Sequence, residues 1–374
     1  MKIGFITTYF YPHIGGAENN CFYLSRELAK IHEVHVFTSH KGQHKYHESI
    51  EGIHIHRSRE IFRFGYYAAF YPGMLLQVLN TKLDVLHVHS YGFLWHDIIV
   101  SIKKIFNPKL KLVITPHGPF MALDNYPFHA RVYRNIVNFI EYPVNNIYDI
   151  IFQVNPFQKE WLVNHGFQEN KIKYLPNGIS KELFEKIDNS DFTKKYKLRN
   201  KIVMSFIGRL QRYKGVDQAI RVLNKLPQNV VLFVLGSGED KERLVKLVSD
   251  SRLNNRVFFL NGNNILRNKL LKSSDVLIFP SKWEAFGIVI LEAMAFGKAI
   301  ISTMTEGGKF LVEDGKNGFL FNFGNLTELE EKLNLVINNR KLRDKIRINN
   351  IKKSKEFLWE NIVNELERSY AELK

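Results

Sequence analysis

Short apolar runs of strand length recur along this chain, and most lead through a turn into a stretch of helical periodicity. Lys2 to Thr8, Glu33 to Thr38, Gly52 to Arg57, Asp84 to His89, Leu110 to Thr115, Asp149 to Val154 and Lys171 to Leu175 read as strands. Helical patterns follow Gly16, run from Gly92 to Phe106 and run from Pro156 to His165. A charged stretch from Pro176 to Asn200 reads as a linker. The pattern then restarts at Lys201 to Ile207 and continues through Asn229 to Leu235, Arg256 to Leu260, Asp275 to Phe279 and Lys298 to Ser302. Parallel strands need long crossovers, and helices supply them, so this alternation predicts a doubly wound parallel sheet. Its restart predicts two. The 374 residues are enough for two domains of ordinary size.

Composition narrows the setting. A single cysteine, Cys21, excludes an internal disulfide and fits a reducing compartment. No apolar run has transmembrane length, and Met1 to Ile3 leads straight into a strand, so no signal peptide is expected. The expected location is cytoplasmic, in solution or at the inner face of the cell membrane. A formal net charge of +16 implies anionic partners but does not choose among them. The basic residues are scattered through both halves, and no zinc-finger or RNA-binding module is present.

The richest stretch follows Asp275 to Phe279. Pro280 ends the strand, Gly287 permits a tight backbone, and Ile288 to Phe296 reads as a helix. Glu284 lies in the loop at the strand's carboxyl end. Glu292 lies eight residues further on, about two helical turns. Ligands of open α/β sheets bind at this rim, and amides opening a helix attract a phosphate. Two carboxylate acceptors beside a phosphate site suit a sugar and a ribose. Solvated surface acids are the competing reading.

Other loops add to this pattern. Gly15-Gly16, between a strand and a helix, lets a ligand approach the backbone or lets helix pack on strand. Arg209 and Lys214 lie between another strand and helix and form a diphosphate clamp or a solvated basic loop. Gly236-Ser237-Gly238 leaves room for a base or ribose. His89 and His117 sit at strand ends, where Gly118 opens space beside His117. Arg57 to Gln77 mixes Arg57, Arg59 and Arg63 with Phe62, Phe64, Tyr66, Tyr67, Phe70 and Tyr71. Such a loop and helix suit a membrane interface, a sheet-covering helix or base stacking.

Together these residues resemble the retaining GT-B glycosyltransferases of family 4, also called glycosyl transferases group 1. The resemblance runs in order through Gly15-Gly-Ala-Glu18, Thr115-Pro-His-Gly118, Pro176-Asn-Gly-Ile179, Gly208-Arg-Leu with Lys214-Gly215, Gly236-Ser-Gly-Glu239, and the Glu284 and Glu292 pair. It implies two Rossmann-like domains facing a cleft: residues 1–178 completed by a returning helix at 356–374, and residues 179–355. The first would hold the acceptor and the second a nucleotide-sugar donor, a UDP- or GDP-sugar. Arg209 and Lys214 would neutralise the diphosphate, Glu292 would bind the ribose, and Glu284 the sugar. Phe286, Gly287, Ile288 and Gly236 would line the donor, Gly16 would lie by the phosphates, and His117 by the reacting face of the sugar. No metal or other cofactor is implied, and no Asp-x-Asp pair is present. The chain departs from the family pattern after Gly307-Gly308, where it is one residue short before Asp314-Gly315. It also has Asn155 for Ser and Ala285 for Gly.

The expected function is transfer of a hexose to a hydroxyl of a lipid-linked or surface glycan, with peripheral contact to anionic membrane and no nucleic acid. A nucleotide-sugar 2-epimerase of similar architecture and a basic nucleic-acid-binding protein are the alternatives.

Overall fold

Each apolar run read as a strand becomes one. The computed structural model describes residues 1–13, 15–40, 44–64, 68–118 and 128–373. Contacts divide the chain into one unit of Met1–Gly178 with Trp359–Lys374 and another of Ile179–Leu358.

The first unit contains β1 (Lys2–Ile6), β2 (Glu33–His40), β3 (His47–Ile50), β4 (Ile53–Arg59), β5 (Phe62–Phe64), β6 (Ala68–Phe70), β7 (Val85–His89), β8 (Lys111–Thr115), β9 (Ile150–Gln153) and β10 (Ile172–Tyr174). Eight of them form one sheet in the order β10-β9-β8-β7-β1-β2-β4-β3. All its pairings are parallel except that of β3 with β4. Strand order reverses between β1 and β7, which makes that junction the switch point of the sheet.

Helices cover both faces. On one, Cys21, Leu24 and Leu28 of the helix Gly16–Leu28 pack with Ile3, Phe5, Val34 and Val36. The last helix, Trp359–Ala371, closes over the same core with Trp359, Ile362, Val363, Leu366 and Tyr370. Complete burial of an apolar side chain of this size is worth about 1.5–3 kcal/mol. This face gives the final helix the partner surface that its apolar side requires. On the opposite face, Met74, Val78, Ile99 and Val100 pack against Leu86, Val88, Leu112 and Ile114.

The second unit contains β11 (Ile202–Ile207), β12 (Val230–Leu235), β13 (Val257–Leu260), β14 (Val276–Phe279), β15 (Ala299–Thr303) and β16 (Gly318–Phe321). They form an all-parallel sheet in the order β13-β12-β11-β14-β15-β16, reversing between β11 and β14. The stretch read as a linker is ordered here. Ile179 bridges to Leu358, and short helical turns form at Lys181–Phe184 and Ser190–Lys195.

The segment from Arg57 to Gln77 requires a correction. It forms the end of β4, the hairpin β5–β6 and the helix Pro72–Asn80. Strand alternation places Ile53, Ile55 and Arg57 on the inward face, so Arg57 is 1% exposed. A buried guanidinium must be paired. Arg57 donates to Glu48 Oε1 at 2.6 Å and to the Tyr11 carbonyl at 2.9 Å. Arg63 is engaged by Glu60 (Nε to Oε1, 2.8 Å) and lies over the Tyr9 ring, while Tyr71 and Met74 are buried. Arg59 is exposed. The three arginines therefore do not form one basic surface. Tyr66 and Tyr67 lie outside the described residues.

Candidate active site

The second unit gathers the expected donor-site residues around its switch point. β11 and β14 are neighbours, and the loops leaving their carboxyl ends carry Arg209 with Lys214 and Glu284 with Gly287. Lys214 and Glu284 meet directly: Nζ lies 2.7 Å from Oε2, with side chains only 12% and 20% exposed. The ammonium also lies 5.1 Å from the Tyr213 ring and 5.4 Å from that of Phe279. One backbone and one side-chain hydrogen bond join these two segments. Lys282 N donates to the Tyr213 carbonyl at 2.7 Å, and Gln218 Nε2 to the Pro280 carbonyl at 3.2 Å. Arg209 is exposed and, among the described residues, donates to the Tyr213 hydroxyl at 3.3 Å.

The helix Ile288–Ala295 starts from Gly287, which offers no side chain to cap the amides of its first turn. Ile288 stands at its start. Phe286 is turned inward instead, with its ring 5.9 Å from that of Phe310 and 6.2 Å from that of Phe357. Only its backbone faces the loop. Gly236 supports the site from behind: a Cβ there would lie 1.9 Å from the Gly208 carbonyl oxygen, so the loops after β11 and β12 touch through bare backbone. Gly307 N donates to the Glu284 carbonyl at 3.0 Å, and Gly308 N to Thr305 Oγ1 at 3.1 Å. Both glycines lie in the short helix Glu306–Leu311: the Gly307 amide holds the Glu284 backbone, and the Gly308 amide is taken by the helix cap Thr305.

Glu292 is buried one turn into its helix. Arg267, on the helix Asn264–Ser273, approaches it with Nη1 3.1 Å from Oε1. Burial raises the Glu292 carboxyl above the usual range, and Arg267 pulls it down again. Arg267 is the residue that the sequence reading missed. On a short helix rich in Asn and Lys it reads as an ordinary surface cation.

In the first unit, Gly16 opens its helix and is exposed. His89 ends β7, and His117 follows β8 in the left-handed region at φ 56°. Their rings are joined, His89 Nδ1 to His117 Nε2, at 2.9 Å. Behind them, His87 links Tyr370 (2.7 Å) and Thr115 (2.8 Å). Burial holds all three imidazoles below the usual histidine range, His117 at about 3. Among the described residues, no three His, Cys, Asp or Glu side chains converge as a metal site.

Two family models match in sequence. Glycosyltransferase Family 4 matches residues 14–183, and Glycosyl transferases group 1 matches residues 188–353. The chain belongs to this glycosyltransferase family. An uncharacterised glycosyltransferase of Methanocaldococcus jannaschii is 28% identical over 99% of this chain and 98% of its own length. A subunit of phosphatidylinositol N-acetylglucosaminyltransferase from Saccharomyces cerevisiae is 24% identical over 82% of this chain and 69% of its own. Among solved structures, Anabaena HepE in complex with UDP-glucose superposes with a TM-score of 0.82 at 20% identity, over all of both chains. The fold is GT-B.

Proposed function

We propose that this glycosyltransferase moves a hexose from a nucleotide diphosphate sugar, with retention and without a metal ion, to a hydroxyl of a lipid-linked or growing glycan. The Lys214–Glu284 pair carries the reading. It places a half-buried cation and a half-buried carboxylate at the switch point beside an uncapped helix start. A diphosphate entering there offers Lys214 a denser anion than Glu284. The ammonium moves to phosphate, and Glu284 is freed to accept hydrogen bonds from the sugar hydroxyls. Donor binding therefore arms Glu284. Arg209 closes on the diphosphate from its exposed loop, and the two cations stabilise the charge that develops on the leaving group. Glu292 accepts from the ribose. No side chain is assigned as a covalent nucleophile, so departure and attack share one face of the sugar.

The UDP-glucose complex of the structural relative supports a nucleotide-sugar donor. The phosphatidylinositol substrate named for the yeast relative supports a lipid acceptor. Peripheral attachment fits a chain in which no described helix is long and apolar enough to cross a membrane. The surface that supports it is the helix Phe128–Val144, which exposes Phe128, Val132, Ile136, Phe139 and Ile140.

Turnover of a panel of UDP-, GDP- and ADP-sugars tests the proposal, with the product anomer read by NMR. Activity is expected to persist in excess EDTA and to give a retained anomer. Lys214→Ala and Arg209→Ala are each expected to lower it roughly a hundredfold. Loss in EDTA that Mg²⁺ or Mn²⁺ restores, or near-normal turnover in both variants, would contradict the clamp. Conversion of the donor without any acceptor would identify an epimerase.

A further inference from the structure

Glu292 is held by one oxygen only. Arg267 Nη1 meets Oε1 at 3.1 Å, whereas Oε2 is buried and has no hydrogen-bond partner among the described residues. Arg267 Nε is likewise buried and unpartnered. A guanidinium usually meets a carboxylate through two parallel bonds that occupy both oxygens. Here the fork is turned aside and half of a buried carboxylate goes unmatched, an arrangement that costs free energy unless a ligand completes it. Glu292 sits on the helix leaving the switch point, the rim that receives nucleotides in such sheets. The side chain is 8% exposed, so without a nearby cation its ionised form would be strongly disfavoured.

Building on the donor site proposed above, we propose that Arg267 is the positioning residue of the ribose subsite. It keeps Glu292 ionised and engages it from one side only, so that the carboxylate is left to accept from the vicinal hydroxyls of the nucleotide's ribose. Arg267 touches no part of the nucleotide. It makes the site specific for a ribose that carries both hydroxyls, and it makes that specificity insensitive to pH. A purely structural ion pair would contribute to folding and leave ribose discrimination unchanged.

Calorimetric binding of UDP and GDP, and of their 2′,3′-dideoxy forms, to the full chain tests this without turnover. Wild type is expected to prefer the ribose form by roughly tenfold to a hundredfold, the worth of hydrogen bonds to a charged acceptor. That preference should stay level around neutral pH. Arg267→Met should lose most of it toward the acid side, where burial protonates Glu292, and recover part as rising pH ionises Glu292 again. Arg267→Lys keeps a positive charge and should keep a level profile. Glu292→Gln should lose the preference at every pH. An Arg267→Met variant with wild-type discrimination and a wild-type pH profile would overturn the proposal. If that variant does not fold, Arg267→Lys decides: a pH-dependent preference in it would overturn the proposal equally. A wild-type chain that binds no nucleoside diphosphate would instead remove the donor-site reading beneath it.

Discussion

At the scale of single residues, the His89–His117 contact fixes where a proton sits. His89 Nε2 is buried and has no partner among the described residues. Were it protonated it would be an orphaned buried N–H, which is rarer in proteins than an unmatched acceptor. The proton therefore sits on His89 Nδ1 and donates to His117 Nε2. His117 must then carry its own proton on Nδ1, so that nitrogen offers a neutral donor and not a base. Nitrogen-15 NMR of the histidines should show His117 neutral and protonated at Nδ1 from about pH 5 to 8, since burial depresses its pKa to about 3. Titration near 6.5, or a proton on Nε2, would contradict this. The sign for stability follows from the same depression. Each buried neutral imidazole contributes fully above the unfolded value of about 6.5, and its contribution is lost as pH falls toward the folded value. Acid should thus weaken the first unit from about pH 6.5 downward. His89 and His117 were both legible in the sequence as rim residues. The contact between them was not, because it depends on the pairing of β7 with β8 and on a left-handed turn at His117.

At the scale of elements, the site depends on how closely two loops approach. Gly215 ends the Lys214 turn at φ +64°, and a Cβ there would lie 2.1 Å from the Pro280 carbonyl oxygen. That oxygen belongs to the backbone and cannot swing away. Gly215→Ala is therefore expected to cost about 2 kcal/mol or more, the left-handed penalty plus the clash. It should also separate Lys214 from Glu284 and lower turnover more than a remote change of equal destabilisation. Denaturant midpoints and turnover measured on the same samples check this, and unchanged stability with unchanged turnover would refute it. Elements were legible where pattern and burial agree, as in β12, which is apolar throughout, and β11, which is apolar but for Ser205; both are buried on both faces. Legibility failed for the helix Phe128–Val144, which buries Arg134 and Glu141 beside Val137 and turns Val132, Ile136, Phe139 and Ile140 outward. Its apolar spacing is helical, but the stripe does not face the core, so a reading that looks for inward stripes passes over it. Arg57 failed in the opposite sense. A charged residue in an aromatic stretch reads as surface, yet strand alternation carried it inside to Glu48.

At the scale of the whole molecule, a formal net charge of +16 and an outward apolar helix act together. Charge alone draws the protein toward an anionic surface but acts only over about 8–10 Å at ordinary salt. Lys or Arg near such a surface contributes about 1 kcal/mol each. The helix supplies a different contribution. Phe139 is 83% exposed and Ile136 is 55% exposed, and sinking such side chains to headgroup level removes apolar area from water at roughly 25 cal/mol per Å². Two of the charged groups of this helix, Arg134 and Glu141, are turned inward and buried in the first unit, while Arg131 and Asn135 stay exposed among the apolar side chains. The outward face is thus mainly apolar, with Arg131 beside it as a cation, and suits shallow, reversible insertion. Co-sedimentation with vesicles containing anionic lipid should retain the wild type at low salt and release much of it at high salt. An Ile136→Ser/Phe139→Ser variant should bind several-fold more weakly and keep its turnover on a water-soluble acceptor, since neither residue belongs to the proposed donor site. Arg57 is unsuited to such a test because its loss would leave Glu48 without its buried partner. Equal recovery of wild type and variant would remove this helix as the docking surface. Concentration-dependent dimerisation of the wild type without vesicle binding would assign the same face to a second copy of the chain.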